Sequence, residues 1–514
     1  MIHLLKYNHN IKYLVFILTS VLWAAVFFNI VDFVDNPVND LQSFLFVFFQ
    51  FGLQVITVFF LLYAAGTNKY FFLLFFPLFA VLGAIISYYK YAYNVVLTPM
   101  LIDATLHNDL RTSMDVISFP MIAFVVLSLI ISLFFVRYRI KKISKINIWV
   151  PISISIISMF FLLNINSRMK NSIMIRFPYN VYFNLKEYKR FQMKILEERT
   201  NPDANLICSE SDSLLVVLVL GESLRADHLS LNGYERKTTP NLEKRQHLIS
   251  FPNIYSEYTH TARSIPHILT RADSVHVERA FTETSFVPLF KSCDFKTYWI
   301  ANQESGDYYI AFMKECDSLI YVHPEKTVYT YGEWLDEDLL PHTENVLKED
   351  NSQKKLLILH TIGSHWYYNS HFPESFAFYK PITRSKVIRQ CTPEEIINSY
   401  DNTILYTDYF LDRLIGLFED ENAILIYLSD HGESLGENNL WLHAVEDDAC
   451  KNPACFVWYS DKYEKLYPEK IEALKNNKNR HYRTDFLFHS ILSAGKIPTA
   501  IIDTKLNIFS DIDF

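Results

Sequence analysis

The sequence predicts a chain of two unlike parts: five membrane-crossing helices, then an α/β domain built on a largely parallel sheet. Three observations carry this. The apolar residues of the 514-residue chain crowd into its first third. After Ser213, short runs of Val, Leu and Ile alternate with longer segments of helical spacing, the pattern of strands alternating with helices. Several of those runs stop at a strand end followed by carboxylates or imidazoles, as Leu214–Leu220 does at Gly221-Glu222-Ser223.

Five apolar segments are long enough, at roughly 20 residues each, to span a bilayer. They lie near Ile11–Ile30, Leu45–Gly66, Tyr70–Tyr88, Phe119–Val136 and Ile148–Leu163. The first resembles a signal peptide in length. Further spans follow it and no small-residue cleavage site is evident, so it reads as an anchor. Arg137, Arg139, Lys141, Lys142 and Lys145 lie between the fourth and fifth segments, and Lys6 and Lys12 flank the first. The loop after the first carries Asp32, Asp35 and Asp40 and no Lys or Arg. The positive-inside rule then places the N-terminus and the Arg137–Lys145 loop in the cytoplasm. An odd number of crossings sends everything after about Asn164 to the far side, with the long loop near Lys90–Ser118. The expected domains are a transmembrane part over 1–165, a bridging part over 166–210 and an outer domain over 211–514. The bridging part mixes Arg168, Lys170, Arg176, Tyr179, Tyr182 and Lys186, and reads either as amphipathic helices along the headgroups or as a plain linker.

All six cysteines fall in the outer part. An extracytoplasmic compartment permits disulfides, and Cys450 with Cys455 would close a small loop around Pro453; scattered free thiols are the alternative. The net charge of −8 argues against nucleic acid as a partner. It leaves room for a phosphorylated ligand, because a bound cation reverses the local field.

In the outer domain the strands are expected at Leu214–Leu220, Thr297–Ala301, Leu356–His360, Ala423–Leu428 and Ala454–Tyr459, with a helix over Ile396–Phe418. Continuous apolar runs of this kind are buried on both faces, and ligands of open α/β sheets sit beyond the strands' carboxyl ends. With only 12 glycines in the chain, Gly221, Gly363 and Gly432 stand out, each following a strand. The strand ends offer Glu222, then His365, then Asp430-His431 followed by His443; Asn302-Gln303-Glu304-Ser305 is a weaker fourth. Mixed carboxylate and imidazole groups suit Zn²⁺, with Mn²⁺ as the alternative. Each group also has a plain reading, since an Asp after a strand is often a helix cap. Asp227-His228 lies about a turn beyond its strand and reads as capping or orienting.

A cation needs a group to activate, because a hydroxyl bound to Zn²⁺ becomes a nucleophile at neutral pH. The segment Tyr258-Thr259-His260-Thr261-Ala262-Arg263-Ser264-Ile265-Pro266 supplies Thr259, Thr261 and Ser264. These hydroxyls could instead cap a helix expected to start near Ile265, Ser264 above all.

Here the sequence resembles the lipid A phosphoethanolamine transferases, the family that includes the mobile colistin-resistance enzymes. The resemblance spans nearly the whole chain. It is carried by Gly-Glu-Ser-x-Arg-Ala-Asp-His at 221–228, Leu231-Asn232-Gly233-Tyr234, Thr238-Thr239-Pro240 and Thr259-x-Thr261-Ala262-x-Ser264-x-Pro266. His360-Thr361-Ile362-Gly363-Ser364-His365, Tyr400-Asp401-Asn402-Thr403 and Ser429-Asp430-His431-Gly432-Glu433-Ser434-Leu435-Gly436-Glu437 complete it. It implies five spans joined to an alkaline-phosphatase/sulfatase-like α/β domain in the periplasm, held by a multi-pass anchor in a bacterial inner membrane.

The resemblance further implies a zinc ion on Glu222, Thr261, Asp430 and His431, with Thr261 as the phosphothreonine nucleophile. His365 and His443 would stand near the phosphoryl group or a second zinc. Asn108 and Thr112 match an Asn-x-x-x-Thr element near the lipid headgroup. The implied reaction moves phosphoethanolamine from phosphatidylethanolamine to lipid A or another glycan acceptor. The chain departs from the family in places. Glu257 and His267 occupy the positions of a frequent cysteine pair around the nucleophile. Gly306 and Asp307 stand where some members place a lysine, and Ala444 replaces the usual glycine after His443. Transfer of phosphoglycerol within the same fold, and a membrane-tethered metal-binding sensor, are the competing readings. Sulfate-ester hydrolysis is disfavoured, because Ser264-Ile265-Pro266-His267-Ile268 lacks the arginine of a formylglycine context.

Overall fold

The computed structural model describes residues 2–30, 33, 41–93, 96–99, 101–102, 119–164, 167–195, 197–206, 208, 213–306, 308–326, 332–386 and 388–511. Two compact units emerge: Met1–Lys189 with Pro324–Tyr331, and Arg190–His323 with Gly332–Phe514.

The first unit is helical. Its helices are α1 (Ile2–Asn29), α2 (Leu41–Ala65), α3 (Lys69–Tyr93), α4 (Phe119–Lys142) and α5 (Trp149–Asn164), then α6 (Ser167–Met174) and α7 (Tyr179–Ile195). Four of these contain stretches long and apolar enough to cross a membrane: Ile11–Asn29, Leu41–Ala65, Lys69–Tyr91 and Phe119–Lys142. The fifth apolar helix, α5, has 16 residues. Aromatic rings fill the seams, with Phe27 stacked on Phe124 at 4.6 Å and Phe16 edge-on to Phe72 at 5.5 Å. Arg139 belongs to the basic stretch that sets the predicted orientation, yet it is buried. Its guanidinium donates to the carbonyls of Gly66 (2.6 Å) and Thr67 (2.7 Å), groups left over where α2 ends.

The second unit holds a mostly parallel sheet. Its strands are β1 (Leu214–Gly221), β2 (Leu248–Ser250), β3 (Lys296–Ala301), β4 (Ser318–Tyr321), β5 (Lys354–His360), β6 (Ala423–Ser429) and β7 (Cys455–Tyr459). Among the described residues they run in the order β2-β7-β6-β1-β5-β3-β4. β7 runs antiparallel to both of its neighbours, β2 and β6, and the other pairs are parallel. The continuous apolar runs have the expected cause. Val216, Leu218 and Leu220 pack into one layer with Trp299, Ile358 and Ile426, while Val217 and Val219 pack into the opposite layer with Leu357, Leu359 and Leu425. β1 is central and buried along its whole length. The long helix α9 (Pro393–Gly416) covers one face and starts at a capping box built by Thr392 and Glu395.

Two expectations are corrected. The helix after the nucleophile segment, α8, covers Thr261–Leu269 and so begins four residues before Ile265. Ser264 therefore lies inside it and caps nothing. The disulfide joins Cys208 and Cys293, whereas Cys450 and Cys455 are free thiols. Cys455 lies on β7 and faces the core, while Cys450 turns its sulfur toward the Leu442 carbonyl at 3.4 Å.

Candidate metal centre

The sheet register builds the site. β1 lies between β5 and β6, with Leu220 beside His360 and Gly221 beside Ser429. Glu222 and Asp430 therefore leave the sheet side by side at its carboxyl end. Gly221 suits its place, because a Cβ there would meet the Tyr427 hydroxyl at 2.2 Å. Ser223 has φ 56 and turns the chain sharply. Its hydroxyl donates to Glu222 Oε1 (2.8 Å) and its backbone N–H to Asp430 Oδ1 (3.3 Å).

Thr261 is the first residue of α8, at the helix end where the backbone dipole favours negative charge. Its hydroxyl donates to Glu222 Oε2 at 3.0 Å and lies 3.4 Å from His431 Nε2. Gln303, just past the end of β3, donates its amide to the same Glu222 oxygen at 3.0 Å.

The two key imidazoles are held by their other nitrogens. His431 Nδ1 lies 2.7 Å from the Gly432 carbonyl. A carbonyl only accepts, so Nδ1 carries the proton and Nε2 presents a lone pair. His443 Nδ1 similarly lies 3.1 Å from Glu433 Oε2, and Glu433 accepts from the Tyr368 hydroxyl at 2.9 Å. Carboxylate and carbonyl partners of this kind fix the tautomer and orientation of metal-binding histidines.

Lone pairs and carboxylates thus converge with few protons among them. His431 Nε2 is 3.5 Å from Glu222 Oε1 and 3.4 Å from Asp430 Oδ2. Asp430 Oδ2 is buried and has no hydrogen-bond donor. Glu222, Asp430 and His431 are at most 1% exposed. Burial opposes ionisation of Glu222, but His431, His365, His443 and the Ser223 hydroxyl together bring its carboxyl down to about 2. Burial and then the Glu222 charge push Asp430 far above the usual carboxylate range. Burial lowers His431 and His365. Burial also opposes the charge on His443, but Glu433 outweighs it and raises the ring to about 9. Two adjoining buried carboxylates beside an unprotonated imidazole nitrogen form an environment that a divalent cation relieves. Glu222, His431 and His443 each offer an atom within 4.8 Å of the others. The donor chemistry, nitrogen and oxygen with no thiolate, fits zinc.

The structure therefore brings together Glu222, Thr261, Asp430, His431 and His443. The His365 ring lies 5.4 Å from that of His443. Asn108 and Thr112 lie outside the described residues. Asp227 pairs with Arg225 at 2.6 Å and His228 with Asp401 at 2.8 Å, so both serve the surrounding loops. Glu257 and His267 face each other, with Glu257 Oε2 3.8 Å from His267 Nε2. Ala444, the residue in the usual glycine position, has φ 61, and its N–H donates to the Thr259 carbonyl at 2.7 Å, joining the rim to the nucleophile segment. Sequence reasoning did not assign roles to Gln303, Glu433 or Tyr368. Gln303 carried a signal, its place at a strand end; Tyr368 carried none.

Comparison with known proteins accords with this geometry. The sulfatase family model matches residues 215–497, more than half of the chain, and the model for phosphoethanolamine transferase EptA/EptB matches residues 55–176. Phosphoethanolamine transferase EptA of Escherichia coli (strain K12) is 33% identical over 313 residues, which cover 57% of this chain and 55% of that protein. The chain thus spans about half the length of the curated relatives it matches. The soluble domain of lipooligosaccharide phosphoethanolamine transferase A from Neisseria meningitidis is 29% identical, with a TM-score of 0.55 over 61% of this chain and 97% of that one. The C-terminal periplasmic domain of EcEptC from Escherichia coli, in complex with Zn, is 25% identical, with a TM-score of 0.55 over 61% of this chain and 90% of that one. With its mostly parallel sheet and the match over more than half its length, the chain belongs to the sulfatase family.

Proposed function

We propose that the chain is a membrane-bound, zinc-dependent transferase. It moves phosphoethanolamine from phosphatidylethanolamine to lipid A or another glycan acceptor. The observation that carries this reading is Thr261. A hydroxyl at a helix N-terminus, 3.0 Å from Glu222 Oε2 and 3.4 Å from His431 Nε2, supports a nucleophile's role for Thr261.

Glu222, Thr261, Asp430 and His431 would hold one zinc ion, with His443 and His365 beside it or on a second. When bound, zinc lowers the pKa of a coordinated hydroxyl and neutralises charge on phosphoryl oxygens. Thr261 Oγ1 passes its proton by way of Glu222 Oε2 to water and attacks the donor phosphorus. The bond from phosphorus to the diacylglycerol oxygen breaks as the new bond forms. Where His443 stands beside the ion and not on a second one, Glu433 favours its protonated ring, so its Nε2 can give a proton to the departing oxygen. Gln303 keeps Glu222 aimed at Thr261 throughout. The phosphoethanolamine-threonine is then attacked by an acceptor oxygen. Where that oxygen is a hydroxyl, the now neutral His443 takes its proton, and Thr261 is regenerated. The match to the EptA/EptB family model over 55–176 and the names of the relatives support the headgroup; the Neisseria protein's name supports a lipooligosaccharide acceptor.

In this reading α5 is the fifth crossing, the second unit lies in the periplasm of a bacterium, and Asn108 and Thr112 belong to the loop nearest the donor headgroup. The test uses purified full-length protein with fluorescent phosphatidylethanolamine. Wild type releases diacylglycerol and Thr261→Ala does not. Equal release from both would overturn the nucleophile. Mass spectrometry of lipid A from cells with and without the protein reads the acceptor: a phosphoethanolamine-sized gain only when it is present supports a lipid A acceptor.

A further inference from the structure

The loop after β5 carries His365 and passes Glu222 at very close range. Gly363 has φ +50, and a Cβ there would lie 2.7 Å from the Glu222 carbonyl oxygen. The N–H of Ser364 donates to that same carbonyl at 3.0 Å. The loop is held from its other side by Asp336. Its Oδ1 accepts from Ile362 N–H at 2.9 Å, and its Oδ2 from Gly363 N–H at 2.9 Å. The Asn302 amide donates to Oδ1 at 2.9 Å and to the Leu335 carbonyl at 3.0 Å. Asn302 Oδ1 in turn accepts from the Trp334 indole at 2.9 Å. Farther along, Trp334 N–H donates to the Ser370 carbonyl at 2.7 Å, and His371 Nδ1 donates to the Trp334 carbonyl at 3.0 Å. The segment Trp334–Asp336 thus grips the 361–371 loop at both ends. Asp336 is 4% exposed and Asn302 1%.

We propose that Asp336, held by Asn302, is a positioning residue for the metal centre: by fixing Ile362 and Gly363 against the Glu222 backbone it sets where Glu222 and His365 stand relative to Thr261. This rests on the reading that those residues hold zinc and transfer phosphoethanolamine. A buried aspartate that accepts two backbone N–H groups also staples a loop, so stability alone does not decide its role. The consequence specific to positioning is a change at Glu222, which Asp336 reaches through the loop and through Asn302, the neighbour of Gln303.

The experiment compares full-length wild type, Asp336→Asn and Asn302→Ser with Thr392→Ala, which removes a helix cap whose own bonds run to Glu395 and to no residue of the site. Asp336→Asn turns one accepting oxygen into an amino group facing an N–H. Asn302→Ser removes only the outer support. Zinc affinity is read by competition with a fluorescent chelator, kcat and KM by diacylglycerol release, and stability by thermal melting in detergent. Asp336→Asn should weaken zinc binding by about 10–100-fold, as loss of an outer-shell partner does. It should lower kcat by about tenfold or more with KM for the lipid within about twofold. Asn302→Ser should move in the same direction by less, and it carries the test if Asp336→Asn fails to fold. Thr392→Ala should lower the melting midpoint without touching zinc affinity or kcat. Zinc affinity and kcat within about twofold of wild type in the folded variants would overturn the proposal. So would losses in Thr392→Ala as large as theirs, or a wild type that binds no zinc. A wild type that binds zinc but transfers nothing would overturn the proposed function instead, and the zinc comparison would still decide the role of Asp336.

Discussion

Glu222 owes its place to neighbours of three kinds: a hydroxyl that donates to it, an amide beside it and a backbone loop against it. The amide is the simplest to remove. Gln303→Leu keeps the volume and deletes the donor to Oε2. Zinc affinity should fall about 10–100-fold, read by chelator competition, with an unchanged far-ultraviolet circular dichroism spectrum. An unchanged affinity would make Gln303 a bystander. A second residue prediction lies away from the site. Burial holds the Glu315 carboxyl up at about 7, against the opposing pull of Ser285, Arg199 and Lys291. Its ordinary value is 4.5, so between these two pH values the folded chain binds more protons than the unfolded one. Stability from this group is therefore greatest in acid and falls as pH rises, with the whole penalty, up to about 3 kcal/mol, present above pH 7. Glu315→Gln should raise the melting midpoint at pH 8 and leave it nearly unchanged at pH 4.5; an equal gain at both would refute the assignment. At this scale the sequence was informative where a residue stood at a strand end, as Glu222, Asp430 and Gln303 do. Asp336 and Tyr368 act through side-chain hydrogen bonds from short 3-10 turns. No periodicity or spacing points to such residues, because their partners are fixed only by the folded chain.

Elements were legible in proportion to their burial. β1, β3, β5, β6 and β7 lie within two residues of the apolar runs that predict them, because a strand covered on both faces must be apolar along its length. β2 and β4 end the sheet, have three and four residues, and are only half-buried, so no run marks them. The start of α8 was misplaced for a related reason. Pro266 suggested a first turn, but it lies inside the helix, and the true start has no side-chain cap to announce it. Thr261 thereby gains a helix N-terminus that the sequence reading did not assign to it. The tightest test of an element is the β1 end. Gly221→Ala would place a methyl 2.2 Å from the Tyr427 hydroxyl oxygen and 2.5 Å from Cζ of the same ring. Tyr427 is fully buried and stacked on Phe456 at 4.7 Å, so it cannot step aside freely. Overpacking of this kind costs typically about 1–3 kcal/mol. The variant should melt lower and lose diacylglycerol release, since the strand end it distorts carries Glu222. Wild-type activity in Gly221→Ala would mean that the strand end tolerates more movement than the packing implies.

At the scale of the whole molecule, the parity of the crossings and the disulfide constrain each other. Cys208 and Cys293 are 85 residues apart, and closing a loop of that length stabilises a fold by about 4–5 kcal/mol in the chain-entropy account. Such a bond persists only in an oxidising compartment. In the proposed topology the positive-inside rule keeps the N-terminus and the Arg137–Lys145 loop in the cytoplasm. Four crossings would leave the second unit there too, in reach of cytoplasmic reductants. Five put it outside. The deciding element is therefore α5, whose 16 residues rise about 24 Å at 1.5 Å each, several ångströms short of a hydrocarbon core of about 30 Å. Ile148 precedes the helix, and its own residues include a single polar amide, Asn164 at the far end, besides small hydroxyls. Short spans are accommodated by local thinning of the bilayer at modest cost, so α5 should cross. Two measurements check it together. Alkaline phosphatase fused after Asn205 should be active and fused after Ser144 inactive. Thiol counting on chain acid-quenched at lysis, then denatured, should find four reactive cysteines before reduction and six after, since the free ones are Cys316, Cys391, Cys450 and Cys455. Six before reduction, with an inactive fusion at Asn205, would place the second unit in the cytoplasm. It would remove the outer-leaflet donor from the proposed reaction while leaving the geometry around Glu222 as it stands.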